Sequence, residues 1–519
     1  MKVPADLQAR IARAKTERSN VQGLINGYLK YADPVRPRIG DSLTSPSNRS
    51  EEVDDRFDTQ LEESGEDFAS DLLQRAMPRD KDWLKYEPIE TLSQEEAKVI
   101  QEPLETRTKS IFAAIRSSNF YREAAGEWAW DQGHGTSAII GYDPGKGQPH
   151  YWEAIAPGQL LIGRGARGLN FKARESCHEL AELIAYWPDY AWPEKLKREA
   201  LTPQGKCKKV ILTEAATLVP DPGDEVWKWQ VCVDGFLIHE EELRGRGCCP
   251  IIVTRWRTFS TTPWGYGPLL KAVPDARVLD QLEYLVLKNL GKQVDPPFFY
   301  DDDNVINLEA GLDAGMAIAR QAGSSVDFWE GGRLELAFFE QGTIRDKIRR
   351  AAFQSGPRQK GLTPPTLGQW MDEKGEQGRR LEMPTGRLFE EGVIAVVERT
   401  EYMLQKAGKL AEVLQIKDKQ KFVRLRPLNP LALQQDFEKA NNSRILLETI
   451  KQVFGPEVTA SIVDAGPTIE NLKKLFNDEA VAIRDPEAAD QLLRGVLGQP
   501  GMAPGLETAP PGAPEAAPQ

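Results

Sequence analysis

Gly163-Arg164-Gly165-Ala166-Arg167-Gly168 has the glycine spacing of a dinucleotide-binding loop and follows the apolar Leu160-Leu161-Ile162. That chemistry needs a helix N-terminus directly after the glycines, aimed at a pyrophosphate. The residues that follow, Leu169–Arg174, alternate as a strand does, so the segment reads as a hairpin loop. Gly145-Lys146 hints at a phosphate-binding loop, but the earlier glycine and the Ser/Thr after lysine are missing, and a surface turn is expected. Asp301-Asp302-Asp303 offers carboxylates to a hard cation. Three adjacent side chains diverge, so a solvated turn is the alternative, and no metal is expected. His134, His150, His178 and His239 show neither HExxH nor paired spacing, and no GxSxG is present. His178 adjoins Cys177, but sequence neighbours are poorly placed to share a proton. No catalytic residue and no cofactor is expected, and the chain reads as a non-enzyme.

The elements around these residues change period along the chain. Residues 1–110 read as mostly helical: Leu7, Ile11 and Ala14 start an amphipathic stripe that Val21, Leu24, Ile25, Tyr28 and Leu29 continue. Asp33–Asp55 reads as a loop, Asp58–Ala76 as a second helix and Ile111–Trp130 as a third. The middle reads as strands: Thr136–Tyr142, His150–Ala154, Leu160–Ile162, Leu169–Ala173, Val210–Glu214, Val226–Val233, Phe236–His239 and Ile251–Trp256. A helical insertion is expected at Ser176–Tyr186.

The long pattern from Pro268 to Lys292 would make a helix of about 37 Å, with Pro274 as a kink or first-turn residue. Leu269, Val273, Ala276, Leu279, Leu282, Val286 and Leu290 form its stripe, and Tyr284, Leu285 and Leu287 add apolar surface beside it. A helix apolar on several sides is buried on several sides. It stops at Pro296-Pro297, before a Gly- and Asp-rich stretch of short strands and turns. Thr343–Gln354 reads as a second helix. Ser355–Pro365 then interrupts with glycines, prolines and the cations Arg358 and Lys360. Helical pattern resumes over Thr366–Ala407, a strand is expected at Phe422–Leu428, and helices at Leu431–Phe476. From Gln499 on the chain is Pro, Ala and Gly with almost no core formers, and disorder is expected. So small a β module cannot bury much core alone, which points to identical copies supplying the missing partners.

Composition narrows the class. The chain has 519 residues, 40% hydrophobic and 28% charged, with 66 basic against 78 acidic residues and a net charge of −12. An acidic chain gains little from counterion release, so tight DNA binding is not expected, although the chain could surround DNA without gripping it. The five cysteines, Cys177, Cys207, Cys232, Cys248 and Cys249, lack zinc or disulfide spacing and read as buried, reduced thiols. The polar N-terminus is no signal peptide, and no apolar run is long enough for a membrane span. Use in the cytosol, or in a particle assembled there, is expected.

Several segments together resemble the portal, or head-to-tail connector, of short-tailed bacteriophages. Gly265-Tyr266-Gly267-Pro268 followed by Asp275–Glu283 is similar to the family's turn and the start of its stem helix. Asn119-Phe120-Tyr121-Arg122 resembles its Asn-Ser/Phe-Tyr segment, and Met77-Pro78 with Trp83-Leu84 its early loop. Asn429-Pro430-Leu431-Ala432, then Gln434-Gln435, resembles its Pro-Leu-Ala-Arg-Ala-Gln element. Leu433 stands where an Arg is usual, so no role is carried to it.

The resemblance covers residues 5–480. It implies an α+β portal-type fold: wing 1–267, stem helix 268–293, clip 294–342, second stem helix 343–354, tunnel loop 355–365, wing return 366–430, helical crown 431–498 and a disordered tail 499–519. It further implies a homo-oligomeric ring of twelve subunits at a capsid vertex of the virion, assembled in host cytoplasm. Double-stranded DNA would pass through the channel during genome packaging and ejection. The terminase large subunit, major capsid and scaffolding proteins and tail adaptors would be partners, with no membrane. Arg358 and Lys360 would touch DNA in the tunnel loop, with a solvated turn as the alternative. Leu279, Leu282, Leu285, Val286 and Leu290 would form the stem interface. The rivals are another ring-shaped head-tail adaptor, a nucleotide-dependent enzyme using the Gly163–Gly168 loop, and a plain intracellular scaffold.

Overall fold

In a computed structural model the chain divides into two units, Met1–Leu431 and Ala432–Gln519. The structure describes residues 2–45, 49–88, 94–143, 149–166, 168–221, 223–295, 298–301, 317–320, 334–354, 386–410, 423–428, 443–453 and 468. In the second unit the described segment 443–453 is helical.

The first unit begins with helices α1 (Ala5–Ala32), α2 (Ser50–Asp54) and α3 (Gln60–Ala76). Strand β1 (Leu84–Pro88) and helix α4 (Gln94–Ser117) follow, then a π-helical turn at Phe120–Ala124 and α5 (Ala125–Asp131). The sequence pattern predicts one helix over Ile111–Trp130; the structure breaks it at Ser118–Asn119. Ser118 turns its hydroxyl back to the Ile115 carbonyl, 2.6 Å away. Asn119 pairs through its amide with both backbone groups of Trp152, each at 2.7 Å. Short polar side chains that bond backbone in this way compete with the helical ladder.

Strands β2 (Thr136–Tyr142), β3 (Tyr151–Ala154), β4 (Leu160–Gly165) and β5 (Gly168–Glu179) come next. Short helices α6 (Leu180–Tyr186), α7 (Glu194–Ala200) and α8 (Pro203–Lys206) precede β6 (Lys209–Val219), β7 (Val226–Val233), β8 (Phe236–Arg244) and β9 (Ile251–Arg255). Every strand expected in this stretch is present. Ser176–Glu179 is not helical as expected but extends β5, because the long β6 pairs along it as far as Glu179. The sheets are antiparallel, one ordered β4-β5-β6-β7-β8 and one β3-β2-β9. Gly163–Gly168 forms the β4–β5 hairpin, with Gly165 opposite Gly168. No helix follows it, so the dinucleotide reading is overturned. Asp234 and Gly235, at φ 46° and 79°, supply the two left-handed residues of a tight β7–β8 turn. Helix α1 lays Leu7 and Ala14 on the five-stranded sheet against Leu161, Phe171 and Ala215.

A 3-10 turn at Leu269–Ala272 leads into α9 (Val273–Val294), with Pro274 in its first turn. Strands β10 (Phe298–Asp301) and β11 (Ala317–Arg320) form a parallel pair. Helix α10 spans Leu334–Ala351. It starts well before the expected Thr343, because an internal Gly342 costs a helix only about 1 kcal/mol and buried Gln341, Ile344 and Ile348 hold it in place. A π-helical turn at Phe389–Val393 continues as the helix Ile394–Lys406. Arg399, fully buried, clamps that helix to the sheets by donating to the carbonyls of Gly141 (3.0 and 3.2 Å) and Cys248 (2.7 Å). Strand β12 (Val423–Pro427) closes antiparallel on β1. Mixed helices and antiparallel sheets make the fold α+β, as expected. Among the described residues no helix is long and apolar enough to cross a membrane.

Candidate functional site

Helices α9 and α10 pack on each other and carry the largest run of exposed apolar side chains among the described residues. The base of α9 is set by a backbone clasp. Gly267 N–H donates to the His134 carbonyl (3.1 Å) and Leu269 N–H to that of Gly133 (3.1 Å). A Cβ on Gly267 would lie 2.2 Å from the Gly133 oxygen, and a Cβ on Gly135, at φ 104°, would lie 2.2 Å from Gly267 N. The Gly265-Tyr266-Gly267-Pro268 turn is therefore a joint that only glycine can make. Beneath it Asp131 bridges Arg36 (2.9 Å) and His134 (3.1 Å) in the core. One turn along, Asp280 accepts from the backbone N–H groups of Phe57 (2.7 Å) and Asp58 (3.1 Å). Arg345 of α10 pairs with Glu283 (2.6 Å) and Asp58 (3.1 Å). The helix pair is thus tied to the rest of the first unit by charged groups as well as by its buried apolar seam, and apolar side chains beside that seam stay exposed.

Those sides follow a seven-residue repeat. Leu279 joins the main core with Ile344 and Ile348, and Val286, seven residues on, is also buried. Val278 and Leu285, 51% and 58% exposed, form one stripe beside this seam. Leu287 and Val294, 51% and 84% exposed, form another. At ~100° per residue the two stripes lie on nearly opposite sides of α9, each about a quarter turn from the seam. On α10, Leu336 and Phe339 are exposed away from Gln341, Ile344 and Ile348, and Phe338 is exposed beside them.

Of the interface residues expected from sequence, Leu285 and Leu290 are exposed, Leu282 is half-buried, and Leu279 and Val286 are covered by this chain itself. Leu279 and Val286 are thus buried within the single chain, where they pack α9 on its own fold. Val278, Val294, Leu336, Phe338 and Phe339 are exposed as well, and the sequence reading did not single them out. The signal for the first two was the i, i+7 repetition, hidden by a stripe drawn through the buried seam.

Arg358 and Lys360 lie outside the described residues, as do Gly145-Lys146, Asp302, Asp303 and the segment 429–435. Asp301 ends β10, and among the described residues no cluster of His, Cys, Asp and Glu could hold a metal. Cys232, Cys248 and Cys249 are buried as expected, but Cys177 is half-buried and Cys207 exposed. Burial pushes the Cys232 thiol up to about 11 and that of Cys248 up to about 12, so neither is a nucleophile at neutral pH.

The four histidines sit apart. His150 meets the Met403 sulfur (3.4 Å), His178 the Ser176 hydroxyl (2.9 Å), and His239 stacks on Tyr190. Burial holds His150 below its usual pKa, and burial, then Arg174, does the same to His178. The unfolded chain therefore binds more protons at these sites once pH falls through about 6.5. Their contribution to stability is fully present above that pH and is lost below it. Urea titrations across this window should show a smaller acid loss for a His150→Gln/His178→Gln chain than for wild type; equal losses would refute the assignment.

The remaining segments singled out in the sequence meet in one place. Tyr121 donates to the Pro78 carbonyl (3.2 Å) and accepts from the Trp83 indole (3.1 Å). Trp83 packs on Phe112 and Phe120, and Met77 is fully buried. A sequence family model, "Bacteriophage head to tail connecting protein", matches residues 5–480.

The chain belongs to this connector family. The family is one of structural connectors between phage head and tail. No curated protein matches the chain. Among solved structures it is similar to a chain of the virion of a native gene transfer agent particle, at 14% identity over 93% of this chain and 100% of that one, TM-score 0.28. It is similar to chains in two necks as well. One is from a native gene transfer agent particle computed with C12 symmetry (12% identity, 80% and 94% covered, TM-score 0.27). The other is from an empty particle computed with C6 symmetry (11% identity, 85% and 96% covered, TM-score 0.29). The assignment to the connectors rests on the family match.

Proposed function

We propose that this connector is the portal subunit of a short-tailed phage, and that copies of it close a ring around a DNA channel at one capsid vertex. The observation that carries the reading is the pair of apolar stripes on opposite sides of α9. A subunit in a cyclic ring touches its two neighbours with two different surfaces, and α9 offers two, separated by its own intramolecular seam. The domain map follows the family pattern: residues 1–267 and 366–430 as wing, α9 and α10 as stem, 294–342 as clip, 355–365 as tunnel loop and 431–498 as crown. The clip would meet the terminase large subunit during packaging and tail adaptors afterwards, with capsid and scaffolding proteins around the wing. Twelve copies are the family's usual number.

The acidic balance of the chain, −12, suits a channel through which DNA slides, because phosphates spaced ~1.7 Å apart along the duplex would be held by a wall rich in cations. Arg358 and Lys360 are the proposed exceptions, a ring of phosphate contacts in the tunnel loop. Particles carrying Arg358→Ala and Lys360→Ala should package DNA but retain it less well; retention equal to wild type would remove these residues from the channel. Negative-stain microscopy of the purified chain tests the portal reading itself. End-on rings with a central hole are expected, and solid compact particles would refute it.

A further inference from the structure

The first unit holds a cavity of about 300 Å³ between α6, the five-stranded sheet and the β2–β3 edge, remote in sequence from α9 and α10. Its floor is buried and polar. Glu214 on β6 accepts from the Tyr142 hydroxyl with both carboxylate oxygens (2.6 and 2.7 Å). Arg174 on β5 lies 3.9 Å from Glu214 and pairs with Glu153. One wall is aromatic. Trp187 and Tyr190 are parallel, with centroids 5.4 Å apart, and Tyr190 is backed by His239 at 4.2 Å. Tyr186 stands 66% exposed beside Trp187, and Glu182, also exposed, lines the same cavity one turn earlier on α6.

Two features of this site decide the ligand's chemistry. Stacked aromatic rings present electron-rich faces that attract cations. The carboxylates of Glu153, Glu182 and Glu214 line the cavity together with the one guanidinium of Arg174. Arg174 is committed to Glu153 and Glu214 and neutralises one charge only. An anion would face a surplus of carboxylates.

We propose that this cavity binds an organic cation, an alkylguanidinium or alkylammonium group, with its charge toward Glu153 and Glu182 and its flat or methylene surface against Trp187 and Tyr186. A free polyamine and an arginine or lysine side chain of a partner protein share that chemistry. The test uses the purified full chain and ligand-observed NMR with three probes: N-acetyl-argininamide, spermidine and propyl phosphate. At least one cationic probe should bind, and propyl phosphate should not. Tyr186→Leu and Glu182→Gln, both at exposed positions that leave the core intact, should each weaken cation binding about three- to tenfold. Tighter binding of argininamide assigns the site to a protein side chain, and tighter binding of spermidine to a free polyamine. Absence of cation binding, preference for the phosphate, or unchanged affinity in both variants would overturn the proposal.

Discussion

Leu285→Asp should give a folded single subunit of 58.0 kDa that does not close into rings. Leu285 is 58% exposed in the single subunit, so the substitution changes the isolated fold by no more than about 0.5 kcal/mol. In a ring the same position would face a neighbour. An ionised carboxylate buried there without a partner costs roughly 3 kcal/mol or more, and a closed ring repeats that cost at every seam. Native mass spectrometry reads the result directly: single subunits are expected, and intact rings would remove Leu285 from the interface. Leu279→Asp separates the two kinds of apolar residue on α9. Leu279 is fully buried within the chain, so this variant should unfold rather than merely dissociate.

Gly267→Ala should destabilise the folded chain by about 4 kcal/mol, among the larger effects of a single methyl group. The added Cβ would sit 2.2 Å from the Gly133 oxygen and 2.5 Å from Gly135 N. Backbone atoms on both sides cannot yield as a flexible side chain can. Relief requires the turn to lift, which breaks the Gly267–His134 and Leu269–Gly133 hydrogen bonds and frees the base of α9. Trp264, buried beside the clasp, gives a fluorescence signal for urea unfolding. Gly291→Ala is the control. It lies inside α9 with open space around its missing Cβ, so helix propensity alone should stabilise the chain by about 0.8 kcal/mol. Equal midpoints for the two variants would refute the clasp.

Much of the first domain was legible because its strands obey simple alternation. Val226–Val233 alternates through Lys228 and Gln230 in its first half and lies buried along nearly its whole length inside the five-stranded sheet. The Gly163–Gly168 loop could be told from a nucleotide site because Leu169–Arg174 alternates instead of opening a helix. Other features were hidden by competition between local and distant forces. Asn119 breaks a helix to serve the backbone of Trp152, a partner that sequence order does not reveal. Leu334–Gly342 reads as loop beside its glycines, yet folds as helix once packing against α9 is available. The two roles on α9 were hardest to separate. Hydrophobicity treats Leu279 and Leu285 alike, and only the position of α10 shows which one its own chain covers.

Sedimentation velocity of the purified full chain over a wide concentration range tests the central claim most directly. If the exposed stripes of α9 meet their counterparts on identical copies, one closed species of fixed stoichiometry should persist on dilution, at about twelve times the subunit mass for the ring proposed above. A single species at 58.0 kDa at every concentration would contradict the account.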